Sequence, residues 1–146
     1  MKLNGAYTLA ATREKVFAAL TNPDVLQRCI DGCEKMVKTG DESYDAQLKI
    51  GLAGLKGSYT GKVQIKDLKP PESYTLVMEG KGAPGFVKGA ARIQLIAMGN
   101  QTELRYDADA QVGGLIAAVG SRLIEATAKK MMDEFFKKFA KQMQTP

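Results

Sequence analysis

The chain of 146 residues contains no histidine, so neither a Ser-His nor a Cys-His nucleophile pair can be assembled from it. Its two cysteines, Cys29 and Cys33, stand four positions apart; with no imidazole and no third thiol they fall short of an ordinary zinc site. They read as buried or half-buried thiols, for which a reducing cytoplasm is the simplest setting. Gly80-Lys81-Gly82-Ala83-Pro84-Gly85 matches the string GxGxxG. A dinucleotide loop needs a helix opening inside that string, whereas here Pro84 sits in it and an alternating strand follows, so it reads as a hairpin turn. Asp31, Asp45, Glu79, Asp107 and Asp109 are the acids available for proton transfer. Alternation puts Glu79, Asp107 and Asp109 on a wet face, and no group of carboxylates has metal-ligand spacing. No catalytic residue, metal or intrinsic cofactor is therefore expected, and the residue types give no positive reason to read an enzyme.

What remains is a chemistry of shape. The residues expected to face inward include Gly61, Ala91, Ala97, Ala108 and Ala110, with few bulky groups between them and the hydroxyls of Tyr59, Tyr74, Tyr106 and Thr127 nearby. Small residues opposite a long helix leave room, and an apolar space with sparse hydroxyls suits an oily ligand. The same residues equally permit a tightly curved, filled sheet, and the pattern leaves both readings open.

The elements that would enclose such a space follow from periodicity. Lys2 to Leu9 alternates and reads as a strand. Thr12 is an N-cap for a short helix burying Val16, Phe17 and Leu20. Asn22-Pro23-Asp24 breaks it and starts a second helical turn with Val25, Leu26 and Ile30, which Asp31-Gly32 ends. The period then falls to two: Lys35 to Lys38, Ala46 to Leu52, Tyr59 to Ile65, Tyr74 to Met78, Ala91 to Ala97 and Leu104 to Val112. Gly40-Asp41, Gly54 to Gly57, Pro70 to Ser73 and Gly99-Asn100 are turns, so the sheet should be antiparallel. From Leu115 to Met143 apolar residues recur mostly three or four apart, predicting one helix about 43 Å long with Gly120-Ser121 as its weak point. It reads as a core helix on the sheet or as a lid over a cavity. The layout is α+β: a strand, two short helices, about six strands and a long C-terminal helix, in a single domain over 1–146.

Net charge is +5, from 21 basic and 16 acidic residues, which favours acidic partners or an anionic membrane surface. The lysines are spread along the chain and there is no tryptophan, so no nucleic-acid surface is expected. Lys129, Lys130, Lys137, Lys138 and Lys141 load the second half of the last helix; they are candidates for a membrane or partner surface, or simply a solvated face. No window reaches the length of a membrane span, and the N-terminus has no signal-peptide core.

In order along the chain, Asn22-Pro23-Asp24-Val25-Leu26, Cys29-Ile30-Asp31-Gly32-Cys33, Tyr59-Thr60-Gly61-Lys62-Val63 and Pro70-Pro71-Glu72-Ser73-Tyr74 form a distinctive series. It continues with Glu79-Gly80-Lys81-Gly82, Pro84-Gly85-Phe86, Ala110-Gln111-Val112-Gly113-Gly114, Gly120-Ser121-Arg122-Leu123-Ile124 and Asp133-Glu134-Phe135-Phe136. Together they resemble the CoxG family, named for the G component of carbon monoxide dehydrogenase, within the helix-grip (SRPBCC, START-like) superfamily, from about Leu3 to Ala140. The resemblance implies a curved antiparallel sheet of about seven strands gripping the C-terminal helix, with a lipophilic cavity between them. It further implies a non-enzymatic accessory that carries a quinone or similar lipid and links a molybdenum-containing carbon monoxide dehydrogenase, or a related hydroxylase, to the quinone pool of the membrane. The expected location is cytoplasmic, with peripheral contact at the inner face of the membrane. Asp31 stands where the family usually has proline, and the chain closes at Pro146 where many members carry a tail resembling a membrane-binding segment.

Inward alternation and helix spacing nominate Tyr59, Met78, Ile93, Leu104, Tyr106, Gly120, Leu123, Ile124, Thr127 and Met131 as cavity walls. Gly120 is expected to hold the cavity open, so that Gly120→Phe would close it. Two rivals make different demands. A small cyclase- or hydrolase-type enzyme of the same superfamily needs a carboxylate or other ionisable group facing inward, and a protein-protein adaptor would have a filled core.

Overall fold

The computed structural model describes residues 1–51 and 56–144. Its frame is one antiparallel sheet of seven strands in the order β1-β7-β6-β5-β4-β3-β2. The strands are β1 (Lys2–Leu9), β2 (Cys33–Gly40), β3 (Ser43–Ile50), β4 (Gly57–Lys69), β5 (Ser73–Gly82), β6 (Gly85–Met98) and β7 (Gln101–Gly113). Only β1 is out of sequence order, because α1 (Arg13–Leu20) and α2 (Pro23–Cys29) carry the chain from one edge of the sheet to the other. The predicted Thr12 cap is made, its hydroxyl accepting from the backbone N–H of Lys15, and the Asn22 side chain caps α2 by accepting from that of Asp24. Leu52 and the turn residues Gly54 and Leu55 lie outside the described residues.

Alternation assigns the faces as expected. Tyr59, Gly61, Val63 and Ile65 point to one side of β4, and Thr60, Lys62 and Gln64 between them point to water. Register carries that side across the sheet, pairing Ala46 with Gly61 and Gly61 with Gly80, then Gly89 with Ala110 and Ala91 with Ala108. The middle of the concave face is thus lined by glycine and alanine, which lets the sheet curve around its last helix.

That helix is shorter than the periodicity predicts. Leu115–Val119 forms a 3-10 turn, η1, and α3 runs from Ser121 to Gln144, 24 residues or about 36 Å. Gly120 separates them at φ +98° and ψ 143°, outside any helical conformation. It is therefore not a helix-interior residue leaving room for a neighbour; it is the joint at which the chain changes direction. A Cβ there would meet nothing within 4 Å and would stand in open space.

The hydrophobic core gathers at one end of the grip. Leu9, Val16, Phe17, Leu20 and Cys29 from the first third of the chain meet Ile93, Leu95, Leu104, Phe136, Phe139 and Met143. Thr102 is fully buried among them and its hydroxyl donates to the Ala11 carbonyl at 2.7 Å. Lys15 Nζ donates to the Met143 carbonyl at 3.0 Å, capping the last turn of α3 from α1. At the other end, Tyr59, Ile116, Ile124 and Thr127 are buried but stand apart from that cluster.

Candidate functional site: an open cavity between sheet and helix

Where the core thins, the structure has an open cavity of about 420 Å³. Ala110 and Val112 of β7 form its floor, Ala117 of η1 with Ser121 and Ile124 of α3 form its roof, and Met1, Phe86 and Gln111 close its sides. The volume lies within the range of small-molecule sites. Its floor exists because β7 alternates: Ala108, Ala110 and Val112 point inward while Asp107, Asp109 and Gln111 point outward. Its roof exists because η1 is tied to the β5–β6 hairpin, with the Ile116 N–H donating to the Pro84 carbonyl at 2.8 Å. Gly114, at φ +81°, lies against Gly85, where a Cβ would come within 2.7 Å of the Gly85 Cα. A shallower depression of about 350 Å³ lies beside Met78, Glu79, Lys88 and Gly89 and shares Gln111 with the first.

The nominated wall residues divide between these regions. Ile124 lines the cavity and Met78 lines the depression. Ile93, Leu104 and Tyr106 belong to the hydrophobic core cluster. Tyr59 and Thr127 are buried between the core and the cavity end, and Met131 is half-buried on α3. Leu123 is 43% exposed and Gly120 is exposed, because the break at Gly120 rotates the first turn of α3 away from the continuous stripe assumed for a single helix. The residues that reasoning from sequence missed are Met1, Phe86, Ala117 and Ser121, brought in by tertiary contacts that leave no periodic trace. Ala110 and Val112 were legible from alternation.

One polar cluster was not foreseen. Tyr7 faces inward from β1, and its hydroxyl donates to Asp133 Oδ1 of α3 at 2.7 Å. The rings of Tyr7, Tyr106 and Phe136 stack, with Tyr7 and Phe136 centroids 4.2 Å apart. Gly5 makes this possible: a Cβ there would stand 2.9 Å from the Tyr106 hydroxyl oxygen. Burial, and then the Asp133 hydrogen bond, push the Tyr7 phenol well above its ordinary value. Asp133 is exposed, so its carboxylate ties α3 to the β1 edge from outside and does not enter the cavity. Burial likewise raises both thiols, Cys29 and Cys33, which makes them poor nucleophiles.

The acids behave as a solvated set. Asp45, Asp107 and Asp109 are exposed, Glu79 pairs with Lys81 at 3.3 Å, and Asp31 forms an ion pair with Lys138. Lys129, Lys130, Lys137 and Lys141 lie exposed along α3. Among the described residues no group of His, Cys, Asp and Glu could hold a metal ion, and no helix is long and apolar enough to cross a membrane.

A seven-stranded antiparallel sheet curved about a long C-terminal helix is the START-like fold. A START superfamily protein from Mycobacterium smegmatis has this fold at TM-score 0.78 and 11% identity, covering 98% of this chain and 97% of the other. A protein from Chromobacterium violaceum matches at TM-score 0.76 and 16% identity over 99% of both chains. A conserved protein from Geobacillus kaustophilus is much nearer: TM-score 0.94, 38% identity, 98% of this chain and 95% of that one. The pattern of the carbon monoxide dehydrogenase CoxG family matches residues 5–144, and the chain belongs to that family. No curated protein matches the chain.

Proposed function

We propose that this protein is a non-enzymatic carrier which holds a quinone or similar lipophilic molecule between its sheet and α3 and serves a molybdenum-containing carbon monoxide dehydrogenase or a related hydroxylase. The observation that carries the reading is the character of the concave face. Along the strand positions that face α3, the described residues are apolar, small or tyrosine, with no carboxylate, and they end in a cavity of about 420 Å³. An enzyme of this fold would need a carboxylate or other ionisable group aimed inward beyond the tyrosines, and a pure adaptor would need no cavity. Family membership supports the accessory role, since the family takes its name from a component of carbon monoxide dehydrogenase.

The test is calorimetric titration with menadione, a naphthoquinone without a prenyl tail, in matched co-solvent. Saturable binding to the wild-type protein is expected, and Ala110→Phe should weaken it about tenfold or more by filling the floor while the melting temperature stays near the wild type. Equal affinity in a folded Ala110→Phe protein would place the ligand elsewhere, and no binding of menadione or of a short-chain ubiquinone would count against the carrier reading.

A further inference from the structure

The string from Gly80 to Gly85 fits no dinucleotide loop, and its glycines have different reasons to be there. A Cβ on Gly82 would run into the Ser58 carbonyl, and Gly85 holds φ +141°. Gly80 has neither constraint. It stands inside β5 in unbroken register with Gly61 of β4 and Val87 of β6, its φ lies outside the left-handed region, and a Cβ there would meet nothing within 4 Å. Glycine inside a strand weakens it, and marks a bulge, a tight bend or a place that a ligand approaches. The register excludes a bulge. Curvature does not require it either. Where closing of the sheet crowds the inner face, a Cβ would be felt, as at Gly5, 2.8 Å from the Tyr106 ring, and at Gly89, 2.9 Å from the Asp109 carbonyl oxygen. Gly80 lies on the side of β5 that faces α3, since Gly61 opposite it is buried and Leu76 on the same side packs against the core. The open space is therefore inside the grip, where Met78, the next residue on that side, remains 39% exposed. It adjoins the cavity through the register: Gly80 pairs with Val87 and Val87 with Val112 of the cavity floor, two strand spacings or about 10 Å away. The polar side chains of the cavity, Ser121 and Gln111, are exposed at its open side.

We infer that the ligand lies lengthwise in the grip, its quinone ring at the open side beside Ser121 and Gln111 and a prenyl tail running inward over Val87 to the space at Gly80. The class of ligand this takes is a quinone with an isoprenoid tail, not a bare ring. The direction follows from desolvation. At the open side the ring carbonyls keep water and hydrogen-bonding side chains, while the tail leaves water for an apolar space. The reverse arrangement would bury the carbonyls against Val87 and Met78 and leave the tail in solvent. The inference rests on the carrier reading and adds to it the orientation of the ligand and the residue that leaves room for its tail.

Gly80→Ile tests it, with Thr60→Ile as the control that puts the same side chain on the outer face of β4. Affinities for menadione and for a menaquinone carrying two prenyl units are compared by quenching of tyrosine fluorescence in matched co-solvent. The wild-type chain should bind the tailed quinone about tenfold or more tightly than menadione, because the tail buries apolar carbon that menadione lacks. Gly80→Ile should bind the two alike, with menadione affinity unchanged and the gain from the tail lost, while Thr60→Ile should match the wild type. The melting temperature of Gly80→Ile should not fall, since its side chain enters unfilled space and isoleucine suits a strand. Equal affinity of the wild-type chain for the two quinones would overturn the inference and leave the carrier reading standing. So would a Gly80→Ile chain that keeps the gain, or a Thr60→Ile chain that loses it. A Gly80→Ile chain that melts well below the wild type would overturn it independently of any ligand, because the space would not be there. A wild-type chain that binds neither quinone would remove the carrier reading and this inference together.

Discussion

Tyrosine does much of the work at the scale of single residues. All five, Tyr7, Tyr44, Tyr59, Tyr74 and Tyr106, face the interior, and burial is the first cause raising the phenol of each. Tyr7 donates to Asp133, and Tyr44 donates to the Thr21 carbonyl at 2.6 Å. A phenol whose folded value is raised favours the folded state while it keeps its proton. That contribution is complete below the unfolded value of about 10 and is lost as pH rises beyond it. Stability should therefore fall steeply above about pH 10, and tyrosinate absorbance near 295 nm should grow in together with the loss of the circular dichroism of the sheet. Titration of most tyrosines in a still-folded protein would contradict this. The inward direction of Tyr59, Tyr74 and Tyr106 was legible from alternation, because a period of two fixes a face. The Tyr7–Asp133 bond was not, since it joins residues 126 apart through the closing of a helix on a sheet edge.

At the scale of elements, α3 divides into a part that holds the fold together and a part that roofs a space. Phe139 is fully buried, stacking with Phe135 and packing edge-on to Phe136, whereas Leu123 at the cavity end is exposed. Phe139→Ala should cost about 3–5 kcal/mol, the range for emptying a core aromatic site. Leu123→Ala should change stability by about 0.5 kcal/mol or less, as an exposed site does. Chemical denaturation measures both, and comparable losses would mean that the two halves of the helix are equally packed. Hydrophobic spacing alone could not find this boundary. Ile116, Val119 and Leu123 continue the three-and-four rhythm across Gly120, but the rhythm carries no record of φ, and a glycine can leave the helical region at little cost. The strands were read more closely because hairpin turns bound them and their side chains alternate. The predicted strand Lys35 to Lys38 is in fact Cys33–Gly40, extended by register shifts against β3 that no alternation marks.

For the whole molecule, the order strand, two helices, six strands, helix is enough to yield the grip, since an apolar sheet face and an amphipathic helix have one economical way to cover each other. A shortage of bulk on the inward face was compatible with a cavity or with a tightly curved, filled sheet, and it did not fix where a cavity would lie. It lies nearer the η1 end than the nominated walls, because α1 and α2 fill the other end with Val16, Phe17, Leu20, Val25 and Cys29, and a core built from segments so far apart in sequence cannot be located by periodicity. The account's central claim is that the space left over is used for a lipophilic ligand. Its most direct test is native mass spectrometry of the protein as purified, with organic extraction of whatever is bound. A near-stoichiometric quinone or prenyl lipid is the predicted result. A ligand-free mass that stays unchanged after exposure to menaquinone and ubiquinone analogues would contradict it.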